Sequence, residues 1–387
     1  MRFAGIDVAS QTHVVALVNE SGEVLVKPTP FGEDAAGYQK LFAVLGSATE
    51  ILVVMEATGH YGRNLFAALG EKGFPVALLN PVRTQRFAQE DLARAKTDSI
   101  DALSIARFGA QKRPLPTPRI DAASEQLREV VHLYDRMTQD YGDRLRQLHR
   151  LVDLCFPEFT RHVRTLDSQR ATAILYQYPT AQTLAHAPPR RLAQLCYDGR
   201  HIVGKDLAHA LIQTATTSVG QHHGPPYITG VQYICQEVDR LRSKLRELGS
   251  DINGRIARQT VGSLLVTIHG LGPLSAARII AAVGDPARFR NAAALAAYVG
   301  AVPRTNRSGL YRPVHAGLCP LGNARLRKAL YMTTLAAVRN NPWLRAYYQR
   351  LRSNGKVPKV ALMAAMRKLL TAVYSVAKNR QPFVLRP

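Results

Sequence analysis

Phe3-Ala4-Gly5-Ile6-Asp7-Val8 opens the chain as an apolar stretch with a single carboxylate set inside it. An acid near the end of an otherwise buried strand can face a cleft, where water or a cation compensates its charge. The pattern returns at Ile51-Leu52-Val53-Val54-Met55-Glu56, an apolar run closed by an acid. A third occurrence differs in kind. In Lys96-Thr97-Asp98-Ser99-Ile100-Asp101 two carboxylates stand three residues apart, a spacing that puts both on one face of a helix about one turn apart.

Outward from these acids, residues 1 to about 112 alternate between strand and helix patterns. Phe3–Val8, His13–Val18 and Val24–Val26 read as strands, with a turn at Asn19-Glu20-Ser21-Gly22 between the second and third. A helix is expected over Ala35–Leu45, then the strand ending at Glu56, a helix from Tyr61 to about Lys72, and a strand over Phe74–Leu79 that Asn80-Pro81 breaks. The helix carrying Asp98 and Asp101 should run to about Phe108, with Ile100, Leu103, Ile105 and Ala106 on its apolar side. Three strands, helix, strand, helix, strand, helix is the order of a ribonuclease-H-like α/β fold.

Arg113-Pro114-Leu115-Pro116-Thr117-Pro118 reads as an extended linker, since prolines at alternate positions exclude helix. Beyond it lie two heptad seams. The first runs through Leu127, Val130, Tyr134, Met137, Tyr141, Leu145, Leu148 and Val152, the second through Val231, Ile234, Val238, Leu241, Leu245, Leu248, Ile252 and Ile256. They are expected to partner each other within the chain or between subunits. Residues 157–227 between them, rich in Pro, His and small polar residues, show no clear organisation. The last third opens with an apolar helix, the turn Gly270-Leu271-Gly272 and a second apolar helix, which resembles a helix-hairpin-helix unit whose backbone N–H groups could meet a phosphate. Basic segments follow at Arg325-Leu326-Arg327-Lys328 and Lys356–Lys368. The fold class expected is therefore α/β plus all-α: a ribonuclease-H-like domain over 1–118, a helical coiled-coil region over 119–260 and a helical carboxyl-terminal domain over 261–387.

The chain's 51 Lys+Arg against 28 Asp+Glu give a formal net charge of +23, spread end to end, which implies a polyanionic partner, with nucleic acid leading. No continuous apolar run reaches the roughly 18 residues of a membrane span, and the opening does not read as a secretory signal. Cys155, Cys196, Cys235 and Cys319 are far apart and are expected to be buried thiols, as suits a reducing cytoplasm. Tyr134 and Tyr141 are expected in the core, as are Trp343, Tyr347 and Tyr348, while His60 and Tyr61 should border the cleft near Glu56.

Asp7, Glu56, Asp98 and Asp101 together suggest one site. Clustered carboxylates repel one another, and a divalent cation resolves that conflict; hard oxygen donors select Mg2+ or Mn2+ over zinc. Such a site suits phosphoryl transfer on nucleic acid. Any one of these acids could be a surface charge or helix cap; the arrangement of all four is what favours a site.

Gly5-Ile6-Asp7-Val8-Ala9, Met55-Glu56-Ala57-Thr58-Gly59, Asn80-Pro81 and Lys96-Thr97-Asp98-Ser99-Ile100-Asp101-Ala102 resemble the RuvC-like amino-terminal domain of DEDD transposases of the IS110 type. Gly270-Leu271-Gly272, Phe289–Pro303, Arg307-Ser308-Gly309 and Gly322-Asn323-Ala324-Arg325-Leu326-Arg327 are similar to that family's carboxyl-terminal domain. The resemblance implies a recombinase that cuts and rejoins DNA through a serine covalently linked to a DNA phosphate, with a guide (bridge) RNA pairing donor and target DNA. Carried onto this chain, the nucleophile is Ser308, and Arg304, Arg307 and Arg312 could neutralise charge developing at the phosphate. Two departures are visible: Arg307 stands where many relatives have a serine, and His269 where they often have proline. Strand exchange needs several cuts and one serine per chain supplies one, so a homo-oligomer, dimer or tetramer, is expected, in a bacterial-type cytoplasm without a membrane. Alternatives are a structure-selective, Mg-dependent nuclease resembling a junction resolvase, and a non-catalytic nucleic-acid scaffold.

Overall fold

The computed structural model describes residues 1–57, 59–90, 98–119, 121–302 and 322–384, with side chains for all of these except 88–90, 98 and 99. The chain divides into two compact units, Met1–Arg119 and Ile120–Pro387.

The first unit is a mixed five-stranded sheet: β1 (Arg2–Asp7), β2 (Thr12–Val18), β3 (Val24–Gly32), β4 (Ile51–Glu56) and β5 (Val76–Leu79), with helices α1 (Ala35–Leu45), α2 (Arg63–Glu71), α3 (Pro81–Glu90) and α4 (Asp98–Lys112). The spatial order is β3-β2-β1-β4-β5, antiparallel across β1–β2–β3 and parallel across β1–β4–β5. This is the ribonuclease-H-like arrangement. Central strands read as near-continuous apolar runs because both faces are covered. One face, with Ala4, Ile6, Val53 and Met55, packs with Leu41 and Leu45 of α1 and Leu65 and Leu69 of α2; the other, with Phe3, Leu52 and Val54, packs with Phe87 of α3 and Ile105 and Phe108 of α4.

Two elements depart from expectation. β3 runs on to Gly32 through Pro28 and Pro30, which an edge strand accommodates because its missing N–H groups need not serve a second neighbour. Helix α3 starts at Pro81, the residue read as a breaker; proline at a first helical position gives up only an N–H that would be unpaired anyway. The proline-rich segment after α4 is extended and lies along β5, where the Thr117 amide donates to the Val76 carbonyl (2.7 Å) and the Leu78 amide to Thr117 Oγ1 (2.9 Å).

The second unit's described residues are helical: α5 (Ala122–Cys155), α6 (Phe159–His162), α7 (Gln169–Gln177), α8 (Ala181–Ala185), α9 (Pro189–Ala193), α10 (Lys205–Thr216), α11 (Pro225–Arg258), α12 (Thr260–Val266), α13 (Pro273–Val283), α14 (Ala292–Val299), α15 (Ala324–Asn340), α16 (Pro342–Ser353) and α17 (Pro358–Asn379). The two heptad seams fold back on each other as an antiparallel hairpin of 34-residue helices, with Gly230 near Leu151, Gly249 near Tyr134 and Arg255 near Gln126. Each end of the hairpin enters a core. Leu127, Val131, Ile252 and Ile256 join α12–α17, whereas Leu148, Val152, Val231 and Val238 join the short helices α6–α10 that organise residues 157–227.

Tyr134 and Tyr141 pack against these cores, as do Trp343 and Tyr347, between which Lys368 Nζ sits 4.3 Å from each ring centre. Helix α17 has the length and apolarity to cross a membrane, although Arg367 and Lys368 interrupt the run; Ala365, Leu369, Leu370 and Val373 are buried in the helical core. Cys155 and Cys235 are buried thiols, and burial pushes Cys235 up to about 12; Cys196 is exposed, contrary to expectation, because it lies on a short bridge to Ile202 at the surface. Cys319 lies outside the described residues.

Candidate active site

Asp7 ends β1 and Glu56 ends β4. The parallel register pairs Ile6 with Met55, so the two acids occupy the next rung, on neighbouring strands about 4.8 Å apart. Side chains alternate along a strand, and Asp7 falls on the same face as Phe3 and Gly5, as Glu56 does with Leu52 and Val54. That face is covered by α4.

Glycine at position 5 makes the covering possible. A Cβ there would lie 2.2 Å from the Ala102 carbonyl oxygen and 2.2 Å from the Ala106 nitrogen, so α4 rests on the β1 backbone itself. Gly109, one turn further along α4, lies over Phe3 and Val54. As α4 runs from 109 back to 102, its contacts move along β1 from Phe3 to Gly5, which makes the helix antiparallel to the strand. Its first turn, with Asp98 and Asp101, is thereby delivered toward the end of β1 that carries Asp7. The Asp98 side chain lies outside the described residues.

Two residues that sequence reasoning did not single out hold this edge. Buried Thr84 of α3 donates its hydroxyl to Glu56 Oε1 and also to the Pro81 carbonyl (2.9 Å), fixing the carboxylate's rotation. His13, fully buried on β2, reaches the loop that follows Asp7: the Ala9 amide donates to Nδ1 (3.2 Å). A backbone N–H can only donate, so the ring proton sits on Nε2, which donates to Glu33 Oε2 at 2.6 Å. Tyr38 (2.8 Å) and Asn64 (3.1 Å) also donate to Glu33. Burial alone would raise the Glu33 carboxyl, but the bonds from His13, Tyr38 and Asn64 outweigh it and hold the group below the usual range. The signal for His13 was present, a lone histidine at the head of an apolar strand, but its partner lies 20 residues away and only the hairpin brings them together. The His60 and Tyr61 rings contact each other at a 37° tilt with centres 4.1 Å apart in the loop between β4 and α2, whose Gly62 lies over Met55 and Val8.

The donor set on this edge is oxygen only, which fits a hard divalent cation. Among the described side chains, no three His, Cys, Asp or Glu residues are grouped closely enough to hold a metal ion, and the fourth acid, Asp98, is not among them.

In the second unit, α12 and α13 flank the glycine turn, as expected of the helix-hairpin-helix-like segment. Gly270 has φ +88°, and a Cβ there would lie 2.4 Å from Ala337 Cα, so this glycine serves the packing of α15. Gly272 is the open one: it caps α13, is exposed and has nothing within 4 Å of a Cβ position. Arg325 and Lys328 are exposed, whereas Arg327 donates to the Val299 carbonyl (3.1 Å) at the end of α14. Arg304, Arg307, Ser308 and Arg312 lie outside the described residues.

Comparison with known proteins finds sequence relatives along the chain. A family model for DEDD transposases of the IS110 type, described as transposase, matches residues 4–157, and the model described as transposase IS116/IS110/IS902 family matches residues 262–349. The chain is 26% identical to the insertion element IS110 uncharacterized 43.6 kDa protein of Streptomyces coelicolor, over 97% of this chain and 94% of that protein. It is 23% identical to the pilin gene-inverting protein of Moraxella bovis, over 98% of this chain and 97% of that one. A solved structure of Thermus thermophilus RuvC is similar over 30% of this chain and 99% of its own, at 18% identity and a TM-score of 0.23. With one family's two models matching its two ends in order, and a relative aligned along nearly its whole length, the chain belongs to the IS110 family of DEDD transposases.

Proposed function

We propose that this transposase cuts and rejoins DNA through a covalent phosphoserine link at Ser308, with Asp7, Glu56, Asp98 and Asp101 forming a cation site against which the scissile phosphate would be held. The observation that carries the reading is the shared edge: two carboxylates on the same rung of adjacent parallel strands, and an antiparallel helix that brings an Asp pair toward them. These four acids would hold Mg2+ or Mn2+, which when bound supplies positive charge against the phosphate oxygens and the departing sugar oxygen. Thr84 keeps the Glu56 carboxylate turned to one setting, and His13 anchors the loop after Asp7.

In the cutting step the Ser308 oxygen forms a bond to phosphorus as one phosphorus–sugar oxygen bond breaks; the serine proton is lost and the departing oxygen gains one. The ester conserves the energy of the original bond, so a hydroxyl from a second strand can reverse the step and rejoin without a nucleotide cofactor. Arg304, Arg307 and Arg312 are the candidates for neutralising the charge that builds on the phosphate. Donor and target DNA are the substrates, a guide (bridge) RNA selects them, and two or four copies supply the required number of serines. The net charge of +23 and the family membership support a nucleic-acid partner.

The test is an assay on paired donor and target DNA with Mg2+ and the RNA that copurifies with the protein. Wild type is expected to leave a denaturation-resistant protein–DNA adduct and rejoined product. Ser308→Ala should lose the adduct and still bind DNA. Cleavage persisting in Ser308→Ala would mean a water-using nuclease, and intact strands under all conditions would mean a scaffold.

A further inference from the structure

Along the helical hairpin of the second unit, one groove combines exposed aromatic surface with arginines. It has a volume of about 570 Å³ and is lined from α5 by Arg144, Gln147 and Arg150 and from α11 by Tyr227, Gly230 and Tyr233. Positions 227, 230 and 233–234 recur at helical spacing on one face of α11, and 144, 147 and 150–151 do so on α5. Gly230 contributes no side chain between the two tyrosines, so the groove floor drops to Leu151. Tyr233 is 51% exposed, on a helix that buries Ile234 and Val231 beside it. The Arg144 guanidinium lies over the Tyr233 ring at 6.0 Å and donates to Gln147 Oε1 at 3.0 Å, which holds it at the groove wall.

Among the described residues no carboxylate forms an ion pair with Arg144 or Arg150, although the Glu237 charge attracts Arg144. Glu237 is engaged by Arg240 (2.9 Å) and Asp143 by Arg146. Asp140 lines the adjoining 420 Å³ depression, which shares Arg144, Gln147 and Arg150 with the groove. Among the described residues Arg150 has no carboxylate partner. A solvated helix face would account for arginines alone; it does not account for an exposed tyrosine ring with an arginine against it beside a floor opened by Gly230.

We propose that this groove binds unpaired bases of a single-stranded nucleic acid, one base stacking on Tyr233 while Arg144 and Arg150 take the flanking phosphates. A base inside a duplex has both faces covered and offers none to a side chain, so the groove selects single strands. The inference rests on the reading of this chain as a nucleic-acid-acting transposase and adds a binding site far in sequence from the acids.

The test uses the full chain and short oligonucleotides carrying 5-iodouracil, one series with ribose and one with deoxyribose. Irradiation links the halogenated base to a stacked aromatic ring, and peptide mass spectrometry locates the link. A link at Tyr233 is expected; the backbone series that gives it tells whether an RNA or a DNA strand is held. Tyr233→Leu should weaken single-strand binding about 5- to 150-fold and leave duplex binding unchanged, Tyr233→Phe should bind as wild type, and Arg150→Gln should reduce the salt slope by about 0.7. No link at Tyr233, unchanged affinity in Tyr233→Leu, or a duplex that displaces the probe as well as a single strand would overturn the proposal. Adduct formation at Ser308, measured separately on duplex substrates, would be untouched by that failure.

Discussion

His13 shows how one buried side chain can hold the neighbourhood of a distant carboxylate. Its two ring nitrogens join the Ala9 amide to Glu33, so His13→Ala removes both links and is expected to destabilise the chain by about 2–3 kcal/mol in urea unfolding. Glu33 carries a pH consequence. Its folded-state pKa lies below the ordinary value of 4.5, so its stabilisation is fully present above about pH 4.5 and is lost as pH falls through the lowered folded value. Acid unfolding of Glu33→Gln should therefore have a shallower pH dependence in that range than wild type, measured by thermal melts at constant ionic strength. At Glu56, Thr84→Val removes the hydroxyl that sets the carboxylate; a stability loss of about 1 kcal/mol is expected, with a larger proportional fall in kcat for strand cleavage than in DNA affinity.

At the scale of elements, the seat of α4 on β1 decides where the Asp pair goes. Gly5→Ala would force α4 off the strand, since both nearest atoms belong to the helix backbone and cannot rotate away. The expected cost is about 1–3 kcal/mol, together with loss of cleavage even at temperatures where circular dichroism shows the chain folded. Gly270→Ala should be as damaging to stability for two reasons, a left-handed backbone and contact with Ala337, without altering the first unit's melting if the units unfold separately. Helix α3 and the long β3 are not legible in the sequence for one reason: Pro81 reads as a stop and Pro28 and Pro30 discourage a strand, whereas a helix start and a sheet edge both tolerate proline. The short helices of 157–227 gave no period because α6, α8 and α9 span only four or five residues each.

For the whole molecule, charge is the dominant long-range property. With +23 spread along the chain, DNA affinity should fall by about 10³–10⁵ between 50 and 200 mM salt if six to ten phosphates are contacted, read from titrations across that range. Charge speaks to binding and on-rate and says nothing of where the strands lie.

The five strands of the first unit with helices α1, α2 and α4, the position of Asp7 and Glu56 at strand ends, and the existence of two seams needing partners were determined by sequence alone, because burial imposes a two-residue or three-to-four-residue period on the residues that face a core. The partner of each seam was not. A heptad records that a helix has an apolar stripe to cover, and a second helix of the same chain covers it as well as a neighbour's would. Tertiary structure alone decided that α5 and α11 close on each other, that Thr84 and His13 brace the acids, and that α4 runs antiparallel over Gly5. Apart from the short link from Ala9 to His13, each of these rests on contacts between residues that are distant along the chain, and local periodicity carries no information about such pairs.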